Sequence, residues 1–379
     1  MNYMITLICL LATTLHRGVG WKSEGTEFIT AFMQNYQVYT YNNVFQLTVT
    51  ALNPSTSVYV MIYNTSFELT LTLEEWETRT VLLPSTLELQ GTAVFSDRTV
   101  IIKSTKPITV VSINYEQYTA DSSTIFPVNS LGSEYYVFAP AAYAPEFVII
   151  NHNQTNEILV TLSSTVTYNG SYYQPGENLT ITLSAFEAVQ LQSSASLTGT
   201  RVQSKYPVAV LSGNACATYN LACDILFEQL IPLNDWGKTF LVSSVSITNY
   251  TDIVSLIASQ TTDIRYITGG TSNNITLQEG KYSEIYLPSN SSLAINATKP
   301  IMVMYTFTGG FGNYPTDTFI MNVIPFESLS SSYVINTEFH VNNYVRVTAK
   351  ISVLLEIFMG NNTLSFIPTW NSMSGTDYA

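Results

Sequence analysis

Ile102-Lys-Ser-Thr-Lys-Pro-Ile-Thr-Val-Val111 returns twice more in the chain, as Val202-Gln-Ser-Lys-Tyr-Pro-Val-Ala-Val-Leu211 and Ile295-Asn-Ala-Thr-Lys-Pro-Ile-Met-Val-Met304. Each copy is a short polar turn, a proline and an alternating run rich in β-branched residues. Pro107, Pro207 and Pro300 stand 100 and 93 residues apart, the signature of a tandem array. A second landmark keeps the same phase: Pro127-Val-Asn-Ser-Leu-Gly-Ser-Glu-Tyr135, Pro232-Leu-Asn-Asp-Trp-Gly-Lys-Thr-Phe240 and Pro325-Phe-Glu-Ser-Leu-Ser-Ser-Ser-Tyr333. Its tail opens the first unit as Gly25-Thr-Glu-Phe28. The spacing predicts modules over residues 25–131, 132–236 and 237–329, with 330–379 as a partial or capping fourth unit.

Between these landmarks strand signals recur about every 8 to 15 residues, as in Phe45-Gln-Leu-Thr-Val-Thr50, Val58-Tyr-Val-Met-Ile-Tyr63 and Phe67-Glu-Leu-Thr-Leu-Thr-Leu73. Apolar residues alternate with Thr, Ser or Gln, the pattern of a half-buried antiparallel sheet. Turn dipeptides such as Asn53-Pro54, Asn169-Gly170 and Glu279-Gly280 punctuate them. The expected fold is all-β: tandem antiparallel β-sandwich modules of about 100 residues, seven or eight strands each. A β-propeller with two blades per repeat is the competing architecture.

Charged residues make up 11% of the chain and hydrophobic ones 46%, so Ser, Thr, Asn and Tyr must supply most of the polar surface. A net charge of -13 with no basic run excludes a nucleic-acid partner, which would need a row of cations. Residues 1–20 read as a secretory signal peptide, with an apolar run over 4–13 too short to span a bilayer and small residues at Gly18-Val-Gly20. No later apolar stretch reaches membrane-spanning length, so no membrane insertion is expected. Cys9 falls within that leader, leaving Cys216 and Cys223. In an oxidising compartment such a pair is most simply a disulfide closing a small loop. A metal site there lacks ligands, since His152 and His340 are distant in sequence.

The stretch from Leu197-Thr-Gly-Thr-Arg-Val through Ser212-Gly-Asn-Ala-Cys216, then Cys223-Asp-Ile-Leu-Phe-Glu-Gln-Leu-Ile-Pro232 and Trp236-Gly-Lys238, resembles the IgGFc-binding protein N-terminal domain family. Gly25-Thr-Glu-Phe-Ile-Thr-Ala-Phe32 and Leu131-Gly-Ser-Glu-Tyr-Tyr-Val137 fit the same pattern. The resemblance implies a secreted β-rich module of mucus, body-fluid or cell-surface proteins, often joined to von Willebrand type D domains. It transfers no Fc-binding residue, because no motif carries that activity. One departure is Asp224-Ile225-Leu226, where the family usually has Asp-His-Leu.

Enzymatic signatures are missing. There is no Gly-x-Ser-x-Gly elbow, no His-Glu-x-x-His and no phosphate loop, and His152 reads as an exposed turn histidine. No catalytic residue, cofactor or metal is expected. What remains is a set of Asn-x-Ser/Thr sequons at Asn64, Asn153, Asn169, Asn178, Asn249, Asn274, Asn290, Asn296 and Asn361, and the loops that follow each Lys-Pro or Tyr-Pro strand. These loops hold the candidate binding residues Tyr115, Tyr118, Asp121, Asp224, Phe311, Tyr314 and Asp317, in the Tyr-, Gly- and Asn-rich composition of adaptable recognition loops. The expected function is extracellular recognition or adhesion of a protein or glycan ligand, in mucosal or innate defence. A structural matrix or coat built from β repeats is the alternative. The sequence sets no oligomeric state.

Overall fold

The computed structural model describes residues 7–12, 23–36, 43–219, 223–245, 250–311, 314–315, 317–330, 333, 344–349, 351–352, 358–359, 362–363, 373 and 376–378. The chain is all-β. Among the described residues the only named helical turns are four short 3-10 segments, and no helix is long and apolar enough to cross a membrane.

Three large antiparallel sheets repeat one connectivity. In the first, β1 (Glu24–Thr30), β2 (Val44–Ala51), β3 (Thr56–Ile62), β4 (Glu68–Leu73) and β5 (Thr78–Leu83) precede a short β6 (Ala93–Phe95), the long β7 (Val100–Glu116) and β8 (Thr119–Ile125). The order is β4-β3-β7-β2-β5, with β1 and β8 also paired to β7. The long strand works as two. Its first half, Val100 to Ser104, pairs with β3, while Ile108 to Tyr115 pairs with β2. Between them lies the Lys-Pro landmark. The β1 partner jumps there from Glu27↔Lys103 to Gly25↔Ile108, so Pro107, which has no N–H to offer, occupies the break in the ladder. Two half-sheets thereby share one bent strand and close over a common core of Phe28, Phe45, Val58, Val60, Ile102 and Val110, a sandwich-like unit.

The second sheet repeats this with β9 (Gly132–Tyr136), β10 (Tyr143–Asn151), β11 (Asn156–Thr161), β12 (Asn178–Leu183), β13 (Ala188–Gln192), β14 (Arg201–Ala217) and β15 (Asp224–Gln229). The third does so with β16 (Gly237–Ser243), β17 (Thr251–Ala258), β18 (Thr262–Thr268), β19 (Thr271–Leu277), β20 (Tyr282–Pro288), β21 (Ser292–Phe307) and β22 (Phe319–Asn322). The register jump recurs at Gly132/Glu134 and Gly237/Thr239. The second landmark has a physical reason too. A β-carbon on Gly25, Gly132 or Gly237 would overlap the side chain of Pro127, Pro232 or Pro325 respectively, so each proline turn seats on a strand where only glycine fits.

The repeats are fused rather than strung out. Strand β6 of the first pairs with β13 of the second, Val94↔Val189, covering an edge that would otherwise be open. Ile29, Met33, Leu89 and Ile101 pack against Val148, Ile150, Leu211 and Phe227 in a buried apolar layer between the first two sheets. His152 lies in this junction, not in an open turn: it is half-buried, 3.4 Å from the Glu27 carboxylate and edge-on to the Phe186 ring. Leu7–Ala12 runs parallel to Tyr344–Ala349. The fourth unit expected over 330–379 lies largely outside the described residues.

Candidate functional site: three converging hairpin loops

The strands flanking the β7–β8, β14–β15 and β21–β22 loops lie side by side where the repeats meet, with β15 between β8 and β22. Side chains that reach across the repeat boundary hold them there. Thr119, Asp121 and Ser123 alternate along β8, so they share a face, and they accept hydrogen bonds from the N–H groups of Ile225 (2.8 Å), Phe227 (2.9 Å) and Gln229 (2.8 Å). These three N–H groups alternate along β15, off the edge of its own sheet. Two edge strands are thus joined by side-chain rungs instead of a direct backbone ladder, and every outward donor is satisfied.

Glu228 extends the seam to the third repeat. One carboxylate oxygen accepts from the Ser123 hydroxyl (2.8 Å), and the other from the Asn322 backbone N–H (3.0 Å) and side-chain amide (2.6 Å). Among the described residues no Lys, Arg or His forms an ion pair with these acids. Burial pushes the Glu228 carboxyl up to about 7, although its hydrogen bonds pull the other way. Asp121 and Asp224 are raised well above the carboxylate range, again chiefly by burial, with Asp317 repelling Asp224.

At the surface the seam ends in aromatic side chains. Tyr118 sits at the tip of the first loop with φ of 76° and 57% exposure. Thr119 beside it donates to Asp224 at the start of β15 at 2.8 Å, its one hydroxyl hydrogen shared with the Asn35 side-chain oxygen 3.2 Å away. Asn35 fixes its neighbour Tyr36, whose ring meets Tyr143 edge-on with centroids 5.3 Å apart. Tyr36 and Tyr143 are 37% and 57% exposed, and Tyr143 pairs across from Cys216. Cys216 and Cys223 are bonded, their Cα atoms 5.2 Å apart. This closes the second loop, from which Tyr219 packs back onto the core.

The expected site residues therefore divide. Tyr118 is exposed and Tyr115 half-buried. Asp121 and Asp224 are buried and hold the seam, so they are not contact residues as placed. Asp317 is half-buried. The Phe311 and Tyr314 backbones pair with one another, but their side chains lie outside the described residues. Tyr36 and Tyr143 carry no local signal of a site, since they sit in ordinary turn contexts, Gln34-Asn-Tyr36 and Ala142-Tyr-Ala-Pro145. Only the third dimension sets them beside Tyr118's loop. Asn64, Asn153, Asn169, Asn178, Asn274, Asn290 and Asn296 are all exposed; Asn249 and Asn361 lie outside the described residues. No group of three acid, His or Cys side chains among the described residues is placed to hold a metal ion.

The bonded pair carries a direct prediction. Cys216 and Cys223 should resist alkylation in the native, unreduced protein, and reduction should cost on the order of 2–3 kcal/mol by loop entropy. Two freely alkylated thiols would contradict it.

Comparison with known proteins points in one direction. The profile of the family described as IgGFc binding protein matches residues 121–379. The human IgGFc-binding protein is 29% identical over 378 residues, covering 98% of this chain and 7% of that protein. The chain thus spans a small fraction of its relative's length.

Proposed function

Since the chain belongs to the IgGFc-binding protein family, we propose that it is a secreted, glycosylated recognition protein, with modules at 25–131, 132–236 and 237–329, that captures an extracellular protein ligand at its converging hairpin loops. The family and its human relative are named for binding, not catalysis, and the ligand class we assign is the Fc part of immunoglobulin or a surface like it. A role in mucosal or innate defence follows from that ligand. The observation that carries this reading is the exposed set Tyr36, Tyr118 and Tyr143, held over a buried seam that crosses the repeats. Exposed rings on a preorganised scaffold give large contact area at low entropy cost. The exposed sequons support passage through a secretory, glycosylating compartment.

The test is capture of immobilised IgG Fc by the intact chain and by a Tyr36→Ser/Tyr118→Ser/Tyr143→Ser variant. Each ring at a binding hot spot is worth about 1–2 kcal/mol, so the variant should bind at least tenfold more weakly with an unchanged melting temperature. Equal capture by a well-folded variant would move the surface elsewhere. No capture by the parent, with self-association in sedimentation, would favour a structural coat protein.

A further inference from the structure

A groove of about 720 Å³ opens between the second and third repeats, away from the hairpin loops. Its base is a pinch of two backbones. A β-carbon on Gly199, which has φ of +90°, would collide with the Gly280 carbonyl oxygen, so glycine is required where the repeats touch. Tyr136 and Arg201 line it from the second repeat, and Glu279, Lys281 and Tyr282 from the third.

The polar groups are fixed before any ligand arrives. The Arg201 guanidinium donates through Nε to Glu134 at 2.7 Å and through a terminal nitrogen to Glu279 at 3.2 Å, and lies 5.9 Å from the Tyr136 ring centroid. The Tyr136 hydroxyl also donates to Glu279, at 3.2 Å. Thr161, Ser163, Ser196 and Thr198 line the remaining wall, their hydroxyls held by Asn178, Thr200 and the Ala139 backbone, and Tyr282 is 41% exposed at the rim. Arg201 and Lys281 are balanced by Glu134 and Glu279, so the groove favours neither a phosphate nor a strongly cationic ligand. Its chemistry is a ring for stacking, planar charged groups for paired hydrogen bonds and a polar wall of serines and threonines. That combination matches a neutral polyhydroxylated ligand whose C–H faces are apolar and whose edges are all donors and acceptors.

We propose that this groove is an oligosaccharide-binding site. Such a sugar has two sources. Thr161, in the groove wall, donates to the Asn178 side-chain oxygen at 2.8 Å, and Asn178-Leu-Thr180 is a sequon. The occupant is therefore either the N-glycan carried by Asn178 itself or a glycan brought by a partner.

The experiment uses the full chain secreted from glycosylating cells, with Asn178→Gln and Asn178→Gln/Tyr282→Ala variants. Binding of the trimannosyl-chitobiose core and of N-acetyllactosamine oligomers is read by saturation-transfer NMR and titration, and amide exchange over residues 175–176 and 280–282 by mass spectrometry. The Asn178→Gln chain should bind a probe, and Tyr282→Ala should weaken that binding about fivefold or more, the loss of one stacked ring. If the resident glycan fills the groove, the parent excludes the probe and its amides there exchange more slowly than those of Asn178→Gln. If the glycan comes from outside, parent and Asn178→Gln bind equally. No probe binding by Asn178→Gln, with no difference in exchange from the parent and an unchanged melting temperature, would overturn the proposal. Undiminished binding by the Tyr282→Ala variant would overturn it as well.

Discussion

Replacing Phe227 by Ala is expected to cost about 3–5 kcal/mol of stability, the usual range for truncating a buried aromatic ring. Phe227 is fully buried in β15 and packs in the apolar layer between the first two repeats, stacked 6.3 Å from Phe32. Its backbone N–H is also a rung of the seam, donating to Asp121. Removing the ring leaves a cavity that two rigid sheets cannot collapse around, because ladders on both sides fix their positions. Urea unfolding should show a lower midpoint, with the first repeat melting ahead of the others. A loss under about 1 kcal/mol would mean that the repeats do not depend on this junction.

The second large effect is on pH. Glu228 and Glu116 are raised to about 7, and Asp121, Asp224 and Glu146 lie well above the usual carboxylate range, in every case with burial as the largest cause. Both Glu116 oxygens are buried without a hydrogen-bond partner among the described residues. A carboxyl whose pKa is higher folded than unfolded favours the folded state fully below the unfolded value, about 4, and that contribution is lost as pH rises through the folded value. The protein should therefore be more stable at pH 5 than at pH 8, with the decline falling between about 4 and 7 for Glu228 and Glu116. A tenfold difference in acidity between the folded and unfolded chain is worth roughly 1.4 kcal/mol for a buried acid, which makes a difference of several degrees in melting temperature. Opposing groups are weak. Against partial desolvation, Glu27 is pulled down by Lys103 and His152, and Glu77 by a backbone hydrogen bond at Glu74 and by Arg79, but both keep contact with water, their side chains 33% and 29% exposed, and screening reduces what such pairs contribute. Glu228→Gln mimics the protonated acid: its amide oxygen accepts from Asn322 and its N–H donates to Ser123. That variant should flatten the pH profile while retaining the fold at pH 5. A profile that rises from pH 5 to 8 in the parent would contradict the seam as described.

What could be read from the chain was set by local physics. The alternation in Phe67-Glu-Leu-Thr-Leu-Thr-Leu73 marks a strand with one wet face, and β4 is that strand, exposed on alternate residues. The Lys-Pro landmark reads as a turn followed by a strand, yet it lies inside one continuous strand at the point where pairing partners change. Turn and bend share the same residues, so the sequence does not separate them. Consecutive apolar runs such as Val148-Ile-Ile150 and Val208-Ala-Val-Leu211 have no wet face because one face serves the repeat's own core and the other the neighbouring repeat. Asp121 and Asp224 misled for a related reason. An acidic residue at a loop end is ordinarily solvated, and only the approach of a second edge strand gives it buried N–H partners. Tyr36 and Tyr143 are adjacent in space but 107 residues apart, a relation that no local pattern encodes.

Side chains of one repeat hold the edge of the next, which locks the strands flanking the hairpin loops into one rigid body. Amide hydrogen exchange at Ile225, Phe227 and Gln229 in the intact chain tests this most directly, because among the described contacts these N–H groups are held by Thr119, Asp121 and Ser123 of the first repeat. They should exchange only on unfolding, as slowly as the central strands. Exchange at the rate of an open edge strand would contradict it.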